Sequence, residues 1–317
     1  MRASLLPFIS VRAAGILVLA IGIPAVRADV AILNPVADTT LIGAAPDNNN
    51  GGQTFVNAGV TQNYTTNRGL FRFDIAAQVP AGSMITRADL ALEVVQEPPK
   101  DGYTSALFDL RRLLVPWGEG DKTNSPSQSS PSPGLGEPAT TNEATWNARF
   151  AFTTNLWATP GAAATNDYLP VVSSSQFIYG RVNSPYTFES TPAMVADVQL
   201  WLDHPEFNFG WIFMSDDEGV NWTACRFGSR EDPQNAPQLA IEYEPPRIDR
   251  IQSSGSQLIL SFTAQAGKAY AVEHRDALFS ATDWSVLTNV TAQPTATNIV
   301  VSDSGTNGQR YYRLRLP

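Results

Sequence analysis

The chain is 317 residues long, 43% hydrophobic and 16% charged, with a formal net charge of -9. That supplies enough apolar mass for one large domain or two smaller ones. The negative balance argues against nucleic acid as a partner.

The chain opens with an export signal. Arg2 and Arg12 precede the apolar run 13–23, and the small residues Val26 and Ala28 follow. Charged, apolar and small-residue regions in that order predict a signal peptide over 1–28, cleaved after Ala28, and so a secreted or cell-surface protein. The apolar run is short for a membrane span, and no other run approaches the required length, so the mature protein is expected to have none. Cys225 is the single cysteine; no internal disulfide can form, and stability must come from the core or a bound ion.

With 22 glycines and 23 prolines among many Ser, Thr and Asn, the rest breaks into short runs that favour an all-β architecture. Runs of strand length lie at 30–32, 40–42, 54–56, 70–75, 85–94 and 105–114. Phe71, Phe73 and Ile75 fall on one face, with Arg72 and Asp74 on the other. Likewise Ala88, Leu90, Leu92 and Val94 oppose Asp89 and Glu93. Val79-Pro80-Ala81-Gly82 predicts a turn with proline second and glycine fourth, joining these two runs as a hairpin.

Residues 118–145 are rich in Ser, Pro and Gly and cannot bury a core, so they predict a long loop between an anchored Trp117 and Trp146. One short helix stands out. Ser190 or Thr191 caps it, Pro192 suits its first turn, and Met194, Val195, Val198, Trp201 and Leu202 form an apolar stripe ending near His204-Pro205. Strands resume at 209–214, 223–227 and 238–243, and "EPPR" at 244–247 reads as a stiff linker. Six further strand-length runs follow. The predicted domains are thus 29–244 and 245–317, the second an immunoglobulin-like or fibronectin-III-like sandwich.

Candidate chemistry is sparse. The two histidines, His204 and His274, sit in different predicted domains, which leaves no histidine pair for a metal centre. Glu119 with Asp121, and Asp216 with Asp217 and Glu218, lie in polar, glycine-flanked loops where carboxylates stay ionised. They suit calcium better than glycosidic acid–base work. The expected oxygen ligands of a structural calcium are Asp38, Asp47, Asp216 and Asp217, and no other cofactor is indicated.

The arginines are more suggestive: Arg68, Arg72, Arg111, Arg112, Arg226 and Arg230 all lie in or beside predicted strands. A guanidinium fork beside an aromatic ring such as Trp117 suits the carboxylate and ring of an acidic sugar. The alternative is that these arginines pair with Asp74, Asp109 and Glu231 inside the sheet.

Nine motifs occur in order: "ADTTLIG" (37–43), "NRGLFRFDI" (67–75), "VPAGSMITRADLAL" (79–92), "PWGEG" (116–120), "EATW" (143–146), "MVADVQLWL" (194–202), "NFGWIF" (208–213), "FGSRE" (227–231) and "APQLAIEY" (236–243). Together they resemble the DNRLRE-domain family, which is related to carbohydrate-binding module family 96. The resemblance covers roughly 30–244. It implies a jelly-roll β-sandwich from a secreted bacterial protein, of a kind often attached to polysaccharide-degrading enzymes. It also implies a non-catalytic role in binding acidic polysaccharide of the alginate type. "EATW" carries one alanine more than the family's element. The C-terminal stretch resembles small β-sandwich modules appended to secreted proteins of environmental bacteria.

The expectation is a secreted, non-catalytic carbohydrate-binding protein. The alternatives are a structural or adhesive surface component, and a polysaccharide lyase drawing on Arg72, Arg112, Tyr168, Tyr186 and His204.

Overall fold

The computed structural model describes residues 28–99, 102–123, 134–254, 257–277, 284–304 and 310–316. Apart from Ala28, the expected export signal lies outside them, as does the Ser/Pro-rich middle of the long loop, 124–133.

Strands run in chain order as β1 (Asp29–Leu33), β2 (Ala37–Ile42), β3 (Asn48–Asn49), β4 (Phe55–Val60), β5 (Thr66–Arg72), β6 (Met84–Leu92) and β7 (Val94–Gln96). Then come β8 (Ala106–Arg112), β9 (Glu137–Pro138), β10 (Ser174–Ile178), β11 (Tyr186–Phe188), the helix α1 (Pro192–Asp203), β12 (Trp211–Ser215), β13 (Cys225–Gly228) and β14 (Gln238–Glu244). The C-terminal strands are β15 (Arg250–Ser254), β16 (Gln257–Ala264), β17 (Tyr270–Arg275), β18 (Ser285–Val290), β19 (Thr297–Asp303) and β20 (Tyr311–Arg315). The protein is all-β, as its composition predicts, with one α-helix among the described residues.

Two antiparallel sheets form the first sandwich. The smaller has the order β1-β14-β6-β11; the larger runs β10-β8-β12-β5-β4-β13-β7, with β2 also paired along β5. Aromatic residues of the larger sheet fill the space between them. Phe213 lies 5.2 Å from Phe108, 4.8 Å from Phe227 and 5.5 Å from Phe188 of the opposite sheet, ring centroid to centroid. Leu90, Leu92, Leu239 and Ile241 close the core from the smaller sheet.

The larger sheet is buried on its outer face as well. Leu70, Ile212 and Met214 point away from the first core and pack under Trp117, Trp157 and Tyr168 from the long excursion 113–170. This explains why β12 reads Trp-Ile-Phe-Met-Ser without alternation: all five residues are buried.

The predicted hairpin does not exist. β5 pairs with β2, β4 and β12, whereas β6 pairs with β11 and β14 of the other sheet. Phe71 and Leu90 therefore enter one core from opposite sheets rather than lying along a ladder. Alternation reveals which face a residue occupies but says nothing of which strand lies beside it. The turn is also shifted by one residue. Ser83 N–H donates to the Pro80 carbonyl at 3.1 Å, which centres the turn on Ala81 and Gly82, and Gly82 has φ 79°. The run 85–94 is likewise not one strand, because the chain crosses from the smaller to the larger sheet at Glu93.

The helix forms as its sequence predicts. Thr191 is the cap, its hydroxyl accepting from Met194 N–H at 3.1 Å, and Met194, Val198, Trp201 and Leu202 face the core. Beyond the first sandwich, β15-β16-β19 and β18-β17-β20 face each other around Leu260, Phe262, Tyr270 and Val272.

Candidate ligand-binding groove

Most of the predicted ligand-binding arginines are held inside the fold. Arg68 donates to both Glu218 carboxylate oxygens at 2.7 and 2.6 Å, and to the Gly161 and Ala162 carbonyls. Arg72 meets no carboxylate among the described residues; its guanidinium lies 5.8 Å from the Trp117 ring, while Asp74 accepts from Ala77 N–H instead. Asp109 and the Pro170 carbonyl hold Arg111. Arg112 Nε lies 3.0 Å from Asp197 Oδ1, a charge contact whose geometry falls short of a hydrogen bond. Arg230 pairs with Glu119 and Glu231 at 2.5 and 2.9 Å. Trp117 is 4% exposed and donates its indole N–H to the Phe209 carbonyl, so it is a core residue and not a sugar platform. The described parts of the excursion 113–170 cover the face of Arg68, Arg72 and Arg111 and supply the Gly161, Ala162 and Pro170 carbonyls, whereas Arg112 lies on the opposite face of β8 beside Asp197 of the helix.

Arg226 is the exception. A concavity of about 720 Å³ lies where the outer face of the larger sheet emerges beyond that cover. Arg226 is opposite Asn57 on β4 and Gln96 on β7, so the three side chains form a cross-strand row on one face. Arg226 donates to Gln96 Oε1 at 2.6 Å, and its guanidinium carbon lies 4.2 Å from the Phe55 ring. Partial burial draws the Arg226 pKa downward, yet a guanidinium keeps its charge at any physiological pH. No carboxylate pairs with it among the described residues.

Amides and one indole complete the groove. Asn67 lines it with its Oδ1 buried and unpartnered, while Asn57 Nδ2 reaches the Gly134 carbonyl at 3.4 Å. Gln62 and Asn63 come from the β4–β5 turn, Pro98 and Pro99 from the segment after β7. Trp222 is half-buried at φ 64°, its carbonyl accepts from Thr104 N–H, and Gly102 packs so closely that a Cβ there would come within 2.4 Å of the ring. Among the described lining residues Glu97 is the one carboxylate and Cys225 the one thiol. Burial pushes the Cys225 pKa up to about 12, which leaves it protonated and inert.

Sequence reasoning found Arg226 but missed Asn57, Asn67, Gln96 and Trp222. The available signal was Trp222 itself, a tryptophan in a polar, glycine-flanked loop with no apolar stripe to bury it.

The predicted calcium ligands do not converge either. Asp38 joins Glu119 and Glu231, with one oxygen of each within 4.8 Å of the others. Arg230 sits among them: its backbone N–H donates to Asp38 Oδ2 at 2.8 Å and its side chain to Glu119. Burial raises the Asp38 pKa well above its ordinary value, against the opposing pull of that backbone N–H. Asp47 is exposed and accepts from Asn147; Asp216 and Asp217 are exposed, the latter accepting from Gly219 N–H.

No protein-family model and no curated protein matches this chain.

Proposed function

We propose that the first sandwich is a non-catalytic carbohydrate-binding module of a secreted protein, taking a polysaccharide chain in the groove around Asn57, Asn67, Gln96, Trp222 and Arg226. The observation that carries this reading is the composition of the groove. Amides in a fixed row offer paired donors and acceptors to sugar hydroxyls, and an indole beside them offers an apolar face to the ring. Arg226 adds one uncompensated fork for a carboxylate, so an acidic residue within the chain is favoured. The motif order resembling the DNRLRE-domain family supports the same class. The lyase candidates Arg72, Arg112, Tyr168, Tyr186 and His204 do not line this groove.

Affinity electrophoresis of the whole chain through gels containing polyuronate, pectin or neutral glucan tests the proposal. Retardation by at least one glycan is expected. Trp222→Ala should weaken it by about 1 kcal/mol, the scale of one aromatic contact, while Arg72→Ala leaves it unchanged. Migration unaffected by every glycan favours the structural or adhesive alternative.

A further inference from the structure

The C-terminal module carries a second charged face that the groove does not use. In the β18-β17-β20 sheet, Tyr270, Val272, Leu314 and Tyr312 point into the small core. Alternation puts Glu273 and Arg275 of β17, with Arg313 and Arg315 of β20, on the opposite, outer face. There they form a ladder. The Trp284 ring is flanked by guanidinium carbons, Arg275 at 4.8 Å and Arg313 at 4.4 Å. Arg313 and Arg315 then both donate to Glu273, at 2.7 and 2.8 Å.

Among the described residues the charges on this face do not cancel. Glu273 is 5% exposed and is the one carboxylate shared by two arginines, whose side chains remain 44% and 50% exposed. Arg275 has no carboxylate partner among the described residues. The neighbouring Asp276 and Asp303 are engaged by Arg310. Among the described residues, three guanidinium groups against one carboxylate leave a local positive face on a chain whose net charge is -9. Internal pairing alone explains Glu273 but not the surplus. Guanidinium groups held against an indole present their donors to carboxylates from restricted positions.

We propose that this face, Arg275–Trp284–Arg313–Arg315, is a separate binding surface for an acidic polysaccharide, with carboxylates of the glycan taking the guanidinium donors that Glu273 leaves free. It does not depend on the groove, and the two surfaces together would let one chain hold a polymer at two points.

The test uses the full chain in gels containing oligouronate, with neutral glucan as control and at two salt concentrations. Oligouronate should retard the wild type, more strongly at low salt. Arg275→Gln leaves no buried carboxylate unpaired and should weaken retardation about fivefold, the upper range for a solvent-facing ion pair. Glu273→Gln removes the internal rival and should strengthen it, a gain that a purely structural ladder cannot give. Trp222→Ala in the groove should leave part of the oligouronate retardation in place. Oligouronate binding unchanged in Arg275→Gln, or lost wholly with Trp222→Ala, overturns the proposal. So does retardation that follows self-association, because the acidic partner is then a second copy of this chain.

Discussion

Asp38 shows how far burial governs one side chain here. It is 1% exposed, with Glu119 and Glu231 beside it and the Arg230 guanidinium bridging those two. Burial raises its folded pKa above the unfolded value. A carboxyl shifted that way favours folding below its unfolded pKa, and the benefit is lost as pH rises through the folded value. At neutral pH Asp38 therefore costs stability. Asp38→Asn is expected to raise the melting temperature at pH 7, with the difference fading as pH falls toward about 4, the unfolded aspartate range. Thermal melts across that range check the prediction. The same variant examines the calcium expectation: were a cation to hold the trio, the substitution would lower the melting temperature and EDTA would lower that of the wild type.

At the scale of elements, the caps and turns are local and the partners are not. The cap was readable as Ser190 or Thr191, because a hydroxyl three residues before an open N–H is a local device, and the structure takes Thr191. Thr191→Ala should cost about 1 kcal/mol by chemical denaturation. The turn at Gly82 is constrained twice, by φ 79° and by Leu316 of the C-terminal module, whose Cδ1 would lie 2.1 Å from an added Cβ. Gly82→Ala should destabilise by more than about 1 kcal/mol, beyond the usual gain from removing a glycine, because the backbone cannot adopt the residue unstrained. A small loss in the denaturation midpoint would instead show that Leu316 gives way. Nothing near Val79 or Gly82 in sequence signals that contact, nor that the strands flanking the turn belong to different sheets.

For the whole molecule, β14 is the strand that closes the first sandwich. It lies between β1 and β6, and its Leu239 and Ile241 are fully buried in the first core. A chain ending after Pro246 is expected to keep a cooperative melt, whereas one ending after Asn235 should not fold. Losing two buried aliphatic side chains alone removes several kcal/mol, about 2–5 for each, and the ladders on both sides go with them. The small core around Phe262 and Tyr270 is separate, and the Lys268–Asp203 ion pair at 2.6 Å is one of its links to the helix end.

The sequence by itself determined the all-β class, the helix 192–203 with a cap at Ser190 or Thr191, and the faces of Phe71, Phe73, Leu90 and Leu92. Each is set by local periodicity or by hydrogen bonds within a few residues. It also placed Arg226 among the candidates, though in company that the fold dispersed. Only the tertiary structure decided that β5 and β6 lie in opposite sheets, that the described parts of the excursion 113–170 cover the face of Arg68 and Arg72, and that Arg112 meets Asp197 of the helix on the other face. It alone put Asn57, Gln96 and Arg226 in one row. Strand pairing and burial of a sheet face depend on contacts between residues far apart in the chain, and the period-two pattern is the same whether a polar face meets solvent, a ligand or another part of the protein.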